Sequence, residues 1–486
     1  MKTDFYRSYA SYTVCSTVVQ EVSVAPRTPV TGSPLSVTIA GTPVEYTVAW
    51  TELPLIGDDG AADATISATT YLAHDSSPDR PVTFLFNGGP GASSSPLHMN
   101  AFGPRILATE ASGERAPVPN PESLLDRTDL VFIDPVGTGF SRTLRDGGEQ
   151  PYLSVHGDAK AVERFIRHWL AENDRGDSPV YLVGESFGGF RLATLCATIA
   201  DLPVHGLVFL STMLDASAMS STPGNDLPHV FELPAMAVAA WAHGRASLGA
   251  TTAQAVFDEA DEFARDDYLR ALYRGSALPD ADRDRVAARV AELIGLPVEQ
   301  VLAADLRVDS EDFLRTLLAD RALVTGRLDT RISGPVPTPP PGDRPAAADD
   351  PALGIGRANV RHSAELAAYL RDVAGVTTEA PYVSLSLELN FRFDWRPEHP
   401  RPAFYTNATV HVGQLLRQRP EARVLVLGGY FDLATPIAGA RHAITHAGVP
   451  PERVDVVRLA CGHSLTGPAL HTAATAVRAF LSPRKA

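Results

Sequence analysis

The chain has 486 residues, more than one minimal core requires, so it holds either one large domain carrying an insertion or two to three units. Hydrophobic residues at 44% and charged residues at 20% exclude general disorder. A formal charge of −15 with no basic run excludes nucleic acid and anionic lipid surfaces as partners.

Three cysteines, Cys15, Cys196 and Cys461, stand far apart without metal-site spacing, which excludes a disulfide-built scaffold. The first residues break any signal-peptide core with Asp4, Tyr6, Arg7 and Ser8, and no stretch is apolar enough for a membrane span. The expectation is a soluble, cytoplasmic protein with no membrane partner.

Residues 1–33 form an N-terminal extension. From 34 to about 73, short alternating bursts, SVTIAGTPVEYTVAW and ADATISATTYLAH, predict antiparallel strands. Pro81 opens a different regime, in which VTFLFNGGPG, DLVFIDPVGTG, PVYLVGESFGG and ARVLVLGGYFD are continuous apolar runs, each delivering a loop. Buried parallel strands have that form. Between them HGDAKAVERFIRHWLAEN and GGFRLATLCATIADL carry apolar residues at three- and four-residue spacing and predict helices. Such alternation implies a doubly wound, mostly parallel α/β sheet, with 34–213 as the first part of the core. Ligands of such sheets bind beyond the carboxyl ends of the strands, so the glycine-rich loops should converge on one crevice. From 214 to 400 the chain turns helical and charged, which predicts an inserted, mainly helical cap. Within it the proline-rich stretch 334–356 predicts an exposed loop. Residues 401–486 return to the sheet pattern as the second part of the core, with a strand ending at Gly428–Asp432 and a closing helix over about 470–481.

The sharpest chemical signal is Gly184-Glu185-Ser186-Phe187-Gly188-Gly189, set between the apolar strand VYLV and a helical pattern. A nucleophile elbow requires that setting, because the sharp turn lifts the serine hydroxyl above the sheet edge. A serine hydroxyl is a poor nucleophile alone, so it needs a base and the base needs an orienting carboxylate. In this fold the partners follow in the chain order serine, acid, histidine. Asp432 lies just past the strand VLVLGGY, and His463 follows the strand VDVVRLA within Cys461-Gly462-His463. Taken singly, the histidine reads as a core-edge residue and the aspartate as a helix cap before Pro436; together, in that order, they read as base and orienter. Asn87-Gly88-Gly89-Pro90-Gly91 ends the first core strand and should offer backbone N–H groups that, with the N–H of Phe187, stabilise an oxyanion. A phosphate loop is disfavoured, since no lysine follows and the G-x-G-x-x-G spacing is missing. No cofactor and no metal is expected. Cys461 reads as small buried packing beside the site.

FLFNGGPGASSS, DLVFIDPVGTGFSR, VYLVGESFGGF, GGYFDLATP and CGHSLTGP together resemble the signature blocks of the serine carboxypeptidases, peptidase family S10, over about residues 80 to 486. The segment Gly326–Arg331 is similar to the bacterial branch. The resemblance implies an α/β-hydrolase fold and release of C-terminal amino acids from peptides with a free C-terminus through an acyl-enzyme. It places Ser186, Asp432 and His463 as triad, the N–H groups of Gly89 and Phe187 as oxyanion hole, and Asn87, Gly88 and Glu185 as substrate binders. Homodimers are common in that family. Its members bind the terminal carboxylate with two glutamates, one protonated; here Ala101 occupies the second glutamate position. That leaves Glu185 and Asn87, with Asn100 or Arg142 as further candidates, and an arginine would favour an ionised carboxylate without acid pH. Competing readings are an acyltransferase on the same acyl-enzyme, a general esterase or endopeptidase, and a binding protein that has lost catalysis.

Overall fold

Val82–Phe86, Asp129–Asp134 and Val180–Glu185 are buried along their whole length. Strands with no polar side cannot face water and must be covered on both faces. In the computed structural model, which describes residues 35–74, 77–109, 115–219, 221–246, 248–337, 349–356, 358–396 and 407–482, they lie inside a nine-stranded sheet. Its strands are β1 (Leu35–Ile39), β2 (Thr42–Ile56), β3 (Ala62–Ala73), β4 (Val82–Phe86), β5 (Asp129–Asp134), β6 (Val180–Glu185), β7 (Val204–Leu210), β8 (Arg423–Gly429) and β9 (Val454–Leu459). They stand in the order β1-β2-β3-β5-β4-β6-β7-β8-β9. β1, β2 and β3 pair antiparallel, and β3 joins β5 antiparallel. All pairings from β5 to β9 are parallel. Crossovers on both faces follow from the parallel pairing, and the result is the expected doubly wound sheet.

Alternation along the strands divides the core in two. Phe84 and Phe86 of β4 join a cluster with Phe165, Ile166 and Trp169 of the helix Val155–Glu172 and with Phe190 of the helix Phe187–Leu195. Leu85, on the other face, joins Phe102, Phe132, Val183 and Val477 of the closing helix Pro468–Leu481. β7, whose sequence VHGLVFL has the same apolar continuity as its neighbours, adds a parallel strand to those predicted. It stands between β6 and β8, and so separates the serine's strand from the aspartate's.

The insertion is helical over Leu227–Thr316, where the helices Leu227–Ala242, Ala253–Phe263 and Asp280–Ile294 pack together. Beyond it two short ribbons, Leu323–Thr325 with Ser333–Pro335 and Val360–His362 with Val383–Ser386, join the helices Ala364–Ala374 and Leu387–Arg392, so the described insertion is mainly helical with small strand pairs added. The two parts also cover different faces. Helix Leu227–Ala242 buries Val230, Leu233 and Met236 in the cluster of Phe84, while helix Ala364–Ala374 buries Leu366 and Leu370 in the cluster of Leu85. Of the expected exposed loop 334–356, residues 338–348 lie outside the described residues. Its described end departs from the expectation: Asp350 is buried and accepts backbone hydrogen bonds, because a carboxylate facing several free amides is held in by them. The N-terminal extension, like Cys15, also lies outside the described residues.

Candidate active site

β6 ends at Glu185, and the helix Phe187–Leu195 begins one residue later, leaving Ser186 to turn the chain with φ 60° and ψ −129°. A non-glycine residue there is strained and persists only when its surroundings enforce it. They do so here: the Ser186 N–H donates to Leu210 O at 3.0 Å, and Ser186 O accepts from Gly189 N–H and Thr212 Oγ1, each at 3.0 Å. The nucleophile elbow read from the sequence is therefore present.

The expected oxyanion loop lies against it. A Cβ on Gly88 would collide with the backbone N of Phe187, so glycine is required for the two segments to touch. Among the described residues the N–H groups of Gly89 and Phe187 donate to no backbone or side-chain acceptor. Arg191, fully buried, fixes this arrangement from below. It donates to Asn87 O at 2.5 Å, pairs with Asp158 at 2.5 and 3.1 Å, and lies over the rings of Phe86 and Phe187. Asp134 holds the far end of the loop, accepting from Ser94 N–H (2.9 Å), Ser94 Oγ (2.7 Å) and Tyr382 OH (3.0 Å).

Asp432 follows β8 and His463 follows β9, so both stand at the carboxyl edge of the sheet with Ser186. Asp432 Oδ2 meets His463 Nδ1 at 2.9 Å. Burial alone would pull the histidine's pKa down, but the Asp432 carboxylate more than offsets it and leaves His463 above the ordinary histidine value. Burial likewise works against the Asp432 carboxylate, and His463 with Thr435 outweighs it, holding the acid below its ordinary value. Asp432 thus stays ionised and favours protonation of the imidazole, as an orienting acid must. Thr435 was not foreseen: its hydroxyl donates to Asp432 Oδ2 at 2.7 Å and lies 3.2 Å from His463 Nδ1. Its place three residues after an aspartate, at cap spacing, was the available signal.

One expected contact is open. Among the described residues Ser186 Oγ makes no hydrogen bond, to His463 or to any other group. Catalytic hydrogen bonds of resting sites are often long and tighten only with substrate bound.

Glu185, adjoining the nucleophile, is buried and accepts from Asn87 Nδ2 at 2.7 Å, while Asn87 Oδ1 accepts from Leu97 N–H. Burial pushes the Glu185 carboxyl up to about 7, against the lowering effects of His463 and Asn87. The pair therefore presents a carboxyl that keeps its proton near neutrality. Arg142 does not join it: its guanidinium is taken by both carboxylate oxygens of Glu52. Asn100 is exposed and Ala101 is buried. A hollow of about 570 Å³ lined by Gly137, Arg145, Leu389 and Arg392 contains no triad residue, and its arginines are paired with Asp59, Asp63 and Glu149. Cys461 is buried as expected, and burial pushes its thiol up to about 12.

Residues 69–206, which carry the oxyanion loop and the elbow, match the family model described as serine carboxypeptidase, peptidase S10. This stretch is similar to the serine carboxypeptidases of that family. Curated relatives carry the same family description: serine carboxypeptidase-like 14 of Arabidopsis thaliana is 32% identical over 136 residues, 27% of this chain and 31% of that protein. Pheromone-processing carboxypeptidase KEX1 of Coprinopsis cinerea is 30% identical over 142 residues, 28% of this chain and 22% of that protein. The chain thus spans under a third of the length of these serine carboxypeptidase relatives in its matches. A prohormone-processing carboxypeptidase of Saccharomyces cerevisiae superposes over 90% of both chains with a TM-score of 0.51 and 14% identity, which shows the α/β-hydrolase fold. No helix among the described residues is long and apolar enough to cross a membrane.

Proposed function

We propose that this chain is a serine-type carboxypeptidase that releases C-terminal amino acids from peptides. In this mechanism His463 takes the Ser186 proton as the hydroxyl oxygen attacks the last peptide carbonyl. The N–H groups of Gly89 and Phe187 stabilise the oxyanion, and His463 returns the proton to the departing amine. Water then releases the acyl group from Ser186 by the same route. The observation that carries the exopeptidase reading is the Asn87–Glu185 pair bordering the nucleophile. A neutral carboxyl there donates a hydrogen bond to a terminal carboxylate, whereas an ionised one repels it.

The relatives are plant and fungal; membership of a bacterial branch is proposed on Gly326–Arg331 alone.

The test is a serine-reactive phosphonate fluoride followed by mass. One label per chain at Ser186, lost in Ser186→Ala, supports the enzyme reading. Full labelling of Ser186→Ala removes Ser186 from the mechanism and restores the binding-protein alternative.

A further inference from the structure

The loops that carry Asp432 and His463 leave two neighbouring strands and have to be held at hydrogen-bond distance from one another. A third segment from the insertion touches both. Leu328 O accepts the His463 N–H at 2.6 Å, and Arg327 O accepts the Leu433 N–H at 3.0 Å. Thr330 N–H donates to Phe431 O at 3.0 Å, and Arg331 Nη1 donates to Ala460 O at 3.2 Å. The Arg331 guanidinium also lies 4.7 Å over the Phe431 ring. A Cβ on Gly462 would stand 2.5 Å from Leu328 O, so the histidine loop is shaped to receive this strap.

The strap is fixed in turn by one side chain. Asp350 Oδ2 accepts the N–H groups of Arg327 and Leu328 at 2.8 and 2.9 Å, and Oδ1 accepts from Ala352 N–H at 2.7 Å. The carboxylate thus grips the two residues whose carbonyls hold the acid loop and the histidine loop. Charge-assisted bonds of this kind are about twice as strong as neutral ones.

We propose that Asp350 is a positioning residue for catalysis, which through the backbone of Arg327 and Leu328 sets the register between Asp432 and His463. The inference rests on the serine carboxypeptidase reading of the site and adds to it a residue that touches neither substrate nor the reacting atoms. Without Asp350 the strap is free to shift, the bond between Asp432 and His463 loosens, and the imidazole loses both orientation and basicity. A displacement of about 1 Å at such a site costs on the order of 100-fold in rate.

The test measures the phosphonylation rate constant per active site against pH. The small probe does not need the Glu185 site, and final stoichiometry gives the folded fraction separately. Wild type sets the plateau and the acidic limb, which reports His463, lowered by burial and by Arg327 and raised by Asp432 and Glu185. For Asp350→Ala the plateau falls about 10- to 100-fold and the limb moves to lower pH, because the histidine loses part of the Asp432 interaction. Asp350→Asn, whose amide oxygen still accepts both strap amides, recovers most of the rate. A per-site constant and limb equal to wild type in Asp350→Ala overturn the proposal, even if less protein folds. Where Asp350→Ala does not fold, Arg331→Leu is judged by the same two readouts, and wild-type values there overturn it equally. Failure of wild type itself to label at Ser186 instead brings down the serine-enzyme reading, and the inference with it.

Discussion

Asp432 divides its two carboxylate oxygens between two tasks. Oδ1 accepts from the backbone N–H groups of Ala434 and Thr435 and caps the turn before Pro436, while Oδ2 orients His463. The same residue caps a turn and contacts His463, because a carboxylate has lone pairs for both. Asp432→Asn is expected to lower turnover by about 10⁴-fold, since an amide can present a donor to Nδ1 and impose the wrong tautomer; turnover assays on free-acid peptides check this. Glu185 gives the second residue-scale prediction. With its pKa raised to about 7, the Michaelis constant for free-acid peptides should climb about tenfold per pH unit above neutrality. That for amidated peptides should stay flat, and Glu185→Gln should abolish the slope. The linkage to stability has the same sign: the folded pKa is above the unfolded one, so stability present at low pH is lost as pH rises through about 7. Glu185→Gln is therefore expected to melt above wild type at pH 8 and to match it near pH 5, by thermal unfolding. The placement of Ser186, Asp432 and His463 along one edge of the sheet was legible in the sequence because each follows an apolar strand. Arg142 misled because charge suited to a carboxylate carries no information about Glu52, a residue distant in sequence that neutralises it.

At the scale of elements, the site depends on the contact between the loop after β4 and the start of the helix after β6. Gly88→Ala puts a methyl group against the Phe187 amide and should separate the two oxyanion donors. Turnover is expected to fall by roughly 10²-fold or more with little change in the secondary structure seen by circular dichroism. Arg191 works beneath the same contact. Replacing it with methionine leaves Asp158 buried without its partner, a loss of about 3–5 kcal/mol that chemical denaturation would read. The elbow was legible because strand, glycines and helix follow one another within a dozen residues. The supporting Arg191 was less so, although an arginine amid GGFRLATL marks a cation placed where burial demands a partner. β7 escaped notice because it carries no motif, only the apolar continuity of VHGLVFL.

For the whole molecule, the inner strands of the sheet are buried on both faces while its edges are not. β5, β4, β6 and β7 lie innermost in the sheet, whereas β1 is an edge and alternates buried with exposed residues. Hydrogen exchange should therefore be slowest in the four central strands and fastest at Leu35–Ile39; equal protection across the sheet would contradict this. The division of the insertion between the two faces was not legible, because periodicity marks a helix's apolar stripe and not the surface it meets. Its second part, over Val360–Arg392, closes on the oxyanion side through pairings such as Ser386 N–H to Gly91 O at 2.8 Å, which no local pattern encodes. The most direct test of the central claim is digestion of peptides with free and amidated C-termini, with products read by mass. The account predicts stepwise loss of single residues from the free C-terminus, at most slow action on the amide, and neither with Ser186→Ala. Internal cleavage, or C-terminal trimming that survives Ser186→Ala, would contradict it.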